Sequence, residues 1–269
     1  MKNAEILVVL PTLGDRLDFL AETLASIEIQ RSDVDLRLVL VLPARAHEAR
    51  ALGAAHGATL IEDPGLGISH AINLGIQAAE GETFYAWIGD DDLFRPGGLG
   101  ALRALAKQRD VVVAYGGCDY ISSAGRLLWK SNAGRLALVL FRWGPNLIPH
   151  PGSLIRLDAM RQVGLFDEGL RFAMDLDMFL KLRSHGHFRS TRQSVSAFRW
   201  HSDSLTVGDR AGSSAESEAV KRRHLPSSLR PFAPVWEFPV RLASASAARR
   251  ISRRVTTLSR LTPTRTKFD

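Results

Sequence analysis

Phe84-Tyr85-Ala86-Trp87-Ile88-Gly89-Asp90-Asp91-Asp92-Leu93 is an apolar run that ends abruptly in three adjacent carboxylates. Bounded by Gly81 before it and Pro96-Gly97-Gly98 after it, Phe84–Ile88 reads as a buried strand. In an open α/β sheet, ligands gather outside the carboxyl ends of the strands, which puts the acidic trio at the mouth of a site. Three neighbouring carboxylates repel one another unless a cation lies among them, and such oxygen-rich clusters suit hard divalent ions such as Mg²⁺ or Mn²⁺. The plainer alternative is an acidic strand-to-helix turn, with Asp92 near the start of the next helix.

Working outward, the first 116 residues alternate between two periodicities. Strand-like runs at Glu5–Leu10, Leu36–Leu42, Ala58–Ile61, Phe84–Ile88 and Val111–Tyr115 are separated by helical patterns at Leu17–Ile27, Ala44–His56, Ser69–Ala79 and Leu99–Lys107. That order predicts right-handed βαβ units and a mostly parallel, Rossmann-like sheet flanked by helices. The remainder predicts a smaller mixed half. It contains a hairpin turning at Ser122–Arg126, a strand at Gly152–Arg156, a helix at Leu157–Val163, an amphipathic helix at Met174–Ser184 and a closing strand at Ser194–Trp200. Gly208–Ser217 reads as a flexible link, followed by a basic helix over Val240–Leu261. The expected organisation is therefore residues 1–116, 117–207, and a linker with a tail over 208–269.

The 269 residues suffice for a sizeable core, and 45% hydrophobic with 23% charged residues is ordinary globular composition. Cys118 is the single cysteine, which rules out an intramolecular disulfide and leans toward a reducing, cytoplasmic setting. The start, Met1-Lys2-Asn3-Ala4-Glu5, runs straight into a strand without a leader pattern, and no stretch reaches the roughly 18 apolar residues of a membrane span. The net charge of +7 is unevenly distributed. Residues 221–269 carry twelve Lys and Arg against Glu237 and Asp269, a net +10, which leaves −3 for residues 1–220. A basic tail on a mildly acidic body predicts an anionic partner for the tail, either a membrane surface, reached from its cytoplasmic face, or a nucleic acid.

Other segments carry polar groups at strand ends. Pro11-Thr12-Leu13-Gly14-Asp15-Arg16 follows the first strand, where Thr12 and Asp15 face the same crevice as the acidic trio unless Asp15 simply caps the next helix. Asn73 within a helix invites a polar partner. Met174, Met178 and Leu182 define a buried helix face, with Asp175 in the first turn, favoured there by the helix dipole. No phosphate loop of the G-x-x-x-x-G-K-[ST] type is present.

The series Pro11-Thr12-x-Gly14-Asp15-Arg16, Asn73-x-Gly75, Asp90-Asp91-Asp92, Gly164-x-Phe166-Asp167-Glu168, Asp175-x-Asp177 and Arg199-Trp200-His201-x-x-Ser204-x-Thr206 resembles the family 2 glycosyltransferases of the GT-A fold, over residues 4–206. The resemblance implies transfer of a sugar from a UDP-, GDP- or dTDP-linked donor to a hydroxyl of a glycan or lipid-linked acceptor, with inversion at the anomeric carbon. It implies donor contacts at Pro11, Thr12, Asp15, Arg16, Asn73, Asp90 and Asp91, with Mn²⁺ or Mg²⁺ held by Asp90, Asp92 and His201. Asp175, or failing it Asp177, corresponds to the general base, and His150 and Trp200 fall on the acceptor side. Two departures stand out: the second strand ends Val41-Leu42-Pro43-Ala44-Arg45 without an acidic residue, and Met174 stands where the family has Glu. Competing expectations are a GT-A domain that binds sugar nucleotide without turnover and a nucleotidyltransferase, for which Arg16 is the sole basic group after strand one. A nucleic-acid binder using the tail is disfavoured by the acidic body, so no nucleic-acid partner is expected.

Overall fold

The computed structural model describes residues 4–131, 134, 136–141, 143–200, 209–242 and 246. His201 and residues 247–269, which hold most of the expected basic helix, lie outside the described residues.

The first half forms β1 (Ile6–Pro11), α1 (Leu17–Gln30), β2 (Leu36–Leu42), α2 (His47–Ala55), β3 (Thr59–Glu62), α3 (Ile68–Gln77) and β4 (Phe84–Trp87). These four strands pair in parallel in the order β3-β2-β1-β4. Strands covered on both faces need apolar residues at every position, and this accounts for the uninterrupted runs. Alternate β1 side chains divide between two cores. Leu7 and Val9 pack with Ile72 and Ile76 of α3, while Ile6, Val8 and Leu10 pack with Leu20, Leu24 and Ile27 of α1. Close approach of α3 requires Gly75, where a Cβ would lie 2.4 Å from Val9 Cγ1.

The chain then forms β5 (Leu93–Phe94), α4 (Gly98–Ala106), β6 (Val111–Ser122), β7 (Leu127–Ser131), α5 (Leu136–Leu140), β8 (Ser153–Arg156), α6 (Leu157–Gln162), α7 (Met174–Leu182), β9 (His187–Trp200) and α8 (Arg210–Arg223). Antiparallel β8 joins β4 to β6, β9 lies parallel to β6, and β5 closes the far edge. The sheet is therefore parallel on one side and mixed on the other, as the periodicities predict. No helix among the described residues is long and apolar enough to cross a membrane.

One expectation is overturned. The Gly- and Ser-rich stretch read as a flexible link is largely α8. Asp209 caps it by accepting the Gly212 N–H at 2.8 Å, and the wholly buried Val220 anchors it to the main core. Capping and tertiary burial outweigh the poor intrinsic helix propensity of Gly and Ser.

Candidate active site

The strand order β3-β2-β1-β4 reverses direction at β1, so the switch point of the sheet lies between the carboxyl ends of β1 and β4. Such a point leaves a crevice for ligands. Here it is bridged directly, since Thr12 Oγ1, just past β1, donates to Asp90 Oδ2 at 2.5 Å. Arg16 straddles the next two carboxylates, with Nη2 2.5 Å from Asp90 Oδ1 and Nη1 2.8 Å from Asp91 Oδ2. The structure thus brings Thr12, Arg16, Asp90 and Asp91 together. Pro11 is buried as the last residue of β1, and Asp15 is exposed beside Arg16 rather than capping α1.

Asp92 is held from the opposite side. Its Oδ1 accepts the backbone N–H of Arg199 at 3.0 Å, and its carbonyl accepts from Thr23 Oγ1 at 2.8 Å. The fully buried Arg199 side chain donates to the Asp91 carbonyl, the Ser123 carbonyl and Glu22, and lies over the Phe19 ring. Arg199 sits in the Arg-Trp-His motif, yet the sequence alone assigns it no role, because its partners are scattered over α1, the acidic turn and the hairpin tip.

Burial drives the Asp90 carboxyl above its usual range despite Thr12 and Arg16, and drives Asp92 well above it with Asp91 adding repulsion. Burial thus disfavours the ionised form of Asp90 and of Asp92. Asp91 and Asp92 also converge over Gly89, where a Cβ would lie 3.0 Å from Asp91 Oδ1 and 3.4 Å from Asp92 Oδ2. Hard oxygen donors around a space kept clear by glycine fit a divalent cation. Among the described residues, no three His, Cys, Asp or Glu side chains form a ready-made metal site.

The second acidic group, Asp175 and Asp177, lies in the first turn of α7. The first turn of α3 emerges beyond the strand ends, and its Ser69 Oγ donates to the Leu170 carbonyl at 2.7 Å and lies 3.0 Å from Met174 Sδ. This fixes the start of α7. Glu216 of α8 completes it by accepting the N–H groups of Arg171, Phe172 and Ala173, amides that the helix itself leaves without partners. Neither contact is legible in sequence, because Glu216 falls in the stretch read as a linker.

Asp175 and Asp177 have opposite environments. Asp175 keeps a solvent-accessible edge and accepts hydrogen bonds from Asn146 Nδ2 at 3.0 Å and Leu176 N at 2.7 Å, neither of them cationic. Burial pushes its carboxyl up to about 6, with Glu216 adding repulsion. Asp177 is completely buried, and burial alone would raise it. His224 at 2.8 Å and Lys181 at 2.8 Å outweigh that effect and hold it below the usual carboxylate range. Asp177 therefore ties α7 to the end of α8. Asp177→Asn should cost about 1–3 kcal/mol, discounted from a fully buried pair because Lys181 and His224 are partly exposed. Urea unfolding checks this, and a variant as stable as the parent would remove the tie.

Other expected site residues serve packing. Asn73 spends its amide on the Gly164–Leu170 loop, donating to the Phe166 carbonyl and Glu168 and accepting the Phe166 N–H. Its position in a helix is explained by that loop. His150 is also core. It stacks on Trp87 with ring centroids 4.5 Å apart, sits against Phe166 and Phe179, and burial pushes it down to about 3, so it stays neutral. Trp200, by contrast, belongs to a partly exposed group of rings with Tyr120, Trp129 and Phe198 at the end of β9. His201 lies outside the described residues.

A mixed sheet with its switch-point crevice lined by carboxylates defines an α/β protein of the GT-A type. The sequence profile described as "Glycosyl transferase family 2" matches residues 7–164, more than half of the chain, which belongs to that family. An uncharacterized glycosyltransferase of Rickettsia typhi is 30% identical over 124 residues, 43% of this chain and 38% of its own. The chain thus spans well under half the length of that curated relative. Among solved structures, S. aureus TarS 1–349 in complex with UDP-GlcNAc matches with a TM-score of 0.63 at 14% identity, over 82% of this chain and 65% of that one. Mannosyltransferase PcManGT from Pyrobaculum calidifontis, in complex with GDP-Man and Mn²⁺, matches with a TM-score of 0.61 at 15% identity, over 97% of this chain and 81% of that one. At such identities the likeness establishes the fold.

Proposed function

We propose that the protein is a metal-dependent, inverting glycosyltransferase that moves a sugar from a nucleoside diphosphate to a hydroxyl of a glycan or lipid-linked saccharide in the cytoplasm. The observation that carries this reading is the contrast between the surroundings of two acidic groups. The Asp90–Asp92 turn gathers three carboxyls around Arg16, whereas Asp175 accepts hydrogen bonds only from neutral groups and burial raises its proton affinity toward neutrality.

An acceptor hydroxyl is a poor nucleophile until a base takes its proton as the new bond forms. Asp175 is that base, oriented by Asn146 and by the start of α7. Direct displacement by an alcohol activated in this way inverts the anomeric centre. Asp90 and Asp92, together with His201, would hold Mn²⁺ or Mg²⁺, and such an ion would supply positive charge against that developing on a departing diphosphate. Thr12 fixes Asp90, and Arg16 stands ready to meet the donor's phosphates. The rings around Trp200 suit a pyranose face on the acceptor side. The complexes of the two structural neighbours, with UDP-GlcNAc and with GDP-Man and Mn²⁺, are consistent with a nucleotide-sugar donor.

Incubation with UDP-, GDP- and dTDP-linked sugars and Mn²⁺ or Mg²⁺ should release nucleoside diphosphate from at least one donor, and EDTA should abolish the release. NMR of the product should show the opposite anomeric configuration. Donor binding without release under every metal condition would instead support a non-catalytic sugar-nucleotide binder, the reading that Met174 favours.

A further inference from the structure

After α8 the chain turns through Ser227–Phe232 into a helical stretch over residues 233–242 whose polarity is inverted. Its charges are spent on ion pairs with α8. Glu237 is buried and ion-paired with Arg222, Arg241 makes a two-pronged pair with Glu218 (2.6 and 3.0 Å), and Trp236 meets Trp143 edge-on at 5.0 Å. Its outward side is apolar. Phe232 is 60% exposed, Val235 74%, Phe238 64% and Leu242 52%. Spaced three or four residues apart, these side chains fall on one helical stripe, and the exposed Pro239 lies between them. A surface helix ordinarily turns such a stripe to the core, and a contiguous exposed one marks an interaction surface.

The flanking sequence identifies the occupant by charge. Residues 243–269 follow directly and carry seven Lys and Arg against Asp269 alone, within a stretch from 221 whose net charge is +10. An apolar ridge next to concentrated positive charge complements an anionic bilayer, which takes apolar side chains between its headgroups and attracts cations through its surface potential.

We infer that the stripe Phe232, Val235, Phe238 and Leu242 seats the protein on the surface of an anionic phospholipid membrane, with the following basic segment supplying the electrostatic attraction. This inference does not depend on the proposed reaction.

The test is sedimentation of the full chain with vesicles of phosphatidylcholine alone and of phosphatidylcholine mixed with phosphatidylglycerol. The parent protein should pellet with the mixed vesicles, weakly with the neutral ones, and less at high salt. Phe232→Ser/Phe238→Ser, changing side chains that already face outward, should lower binding to the mixed vesicles at least about tenfold at an unchanged Tm. Val235→Asp should do the same. Variants that pellet like the parent would overturn the inference, as would a parent that binds neither vesicle or both equally. A dimeric parent whose variants become monomeric without lipid would give the stripe to a second copy instead. Nucleoside diphosphate release in lipid-free solution reports separately on the reaction, so the two readings fail independently.

Discussion

Asp175→Asn should lower turnover by about 10²–10⁴-fold, the usual contribution of a positioned general base, while leaving donor affinity intact. Asparagine keeps the shape, and its Oδ1 can still accept the Leu176 N–H, so the helix start is preserved, while the bond that Asn146 donates to the second oxygen is lost. It loses the ability to take a proton. The parent's pH dependence follows from the same carboxyl, which burial pushes up to about 6. Below that pH the base is protonated, and turnover should fall tenfold per pH unit; above it, turnover should level off. The stability effect has the opposite sign. A carboxyl raised in the folded state binds its proton more tightly than in the unfolded chain, so its ionisation lowers stability as pH rises from the ordinary range through 6. Asp175→Asn removes that cost, and its Tm at neutral pH should equal or exceed the parent's. Steady-state kinetics, donor calorimetry and thermal melts decide the matter, and a parallel loss of donor affinity or Tm would take the role away from Asp175.

Arg199→Met should be the most destabilising single change near the acidic turn. The guanidinium is fully buried and donates to three acceptors from separate parts of the chain. Removing one partner from a buried charged network costs about 3–5 kcal/mol, on the order of 10 °C in Tm for a chain of this size. Arg199 also lowers the proton affinity of Asp92, so its loss leaves that carboxylate still less tolerable. Arg199→Lys should recover only part of the stability, because an ammonium cannot reproduce a planar fork aimed at three partners. Urea denaturation of both variants tests this, and a loss under 1 kcal/mol would show that the turn is held without Arg199.

What the sequence makes legible is local. The run Phe84–Ile88 and the patterns around it predict β1 to α4 within a few residues, because parallel strands must be apolar throughout and their crossover helices are periodic. Legibility fades where long-range contacts decide the structure. Leu93–Phe94 is too short to show a period, and the first part of β9, from His187 to Gln193, alternates poorly because much of it is exposed. Asn73 and His150 illustrate the limit within the site, since a polar side chain that satisfies a buried loop looks, in sequence, like one awaiting a ligand. Asp175 and Asp177 are separated by their surroundings alone. Lys181 is visible one helical turn from Asp177, but His224 and Asn146 come from distant segments.

The way Glu216 receives three successive amides at the head of α7 bears on where this polypeptide can be shortened. A fragment stopping before residue 209 would strip those amides of their acceptor and Asp177 of His224, uncovering the first turn of the element that carries Asp175. The smallest self-sufficient piece must therefore reach past α8 into the inverted stretch behind it, whose Glu237 and Arg241 clasp Arg222 and Glu218. The exposed apolar stripe and the helix that carries Asp175 are thus mechanically joined through a single C-terminal brace.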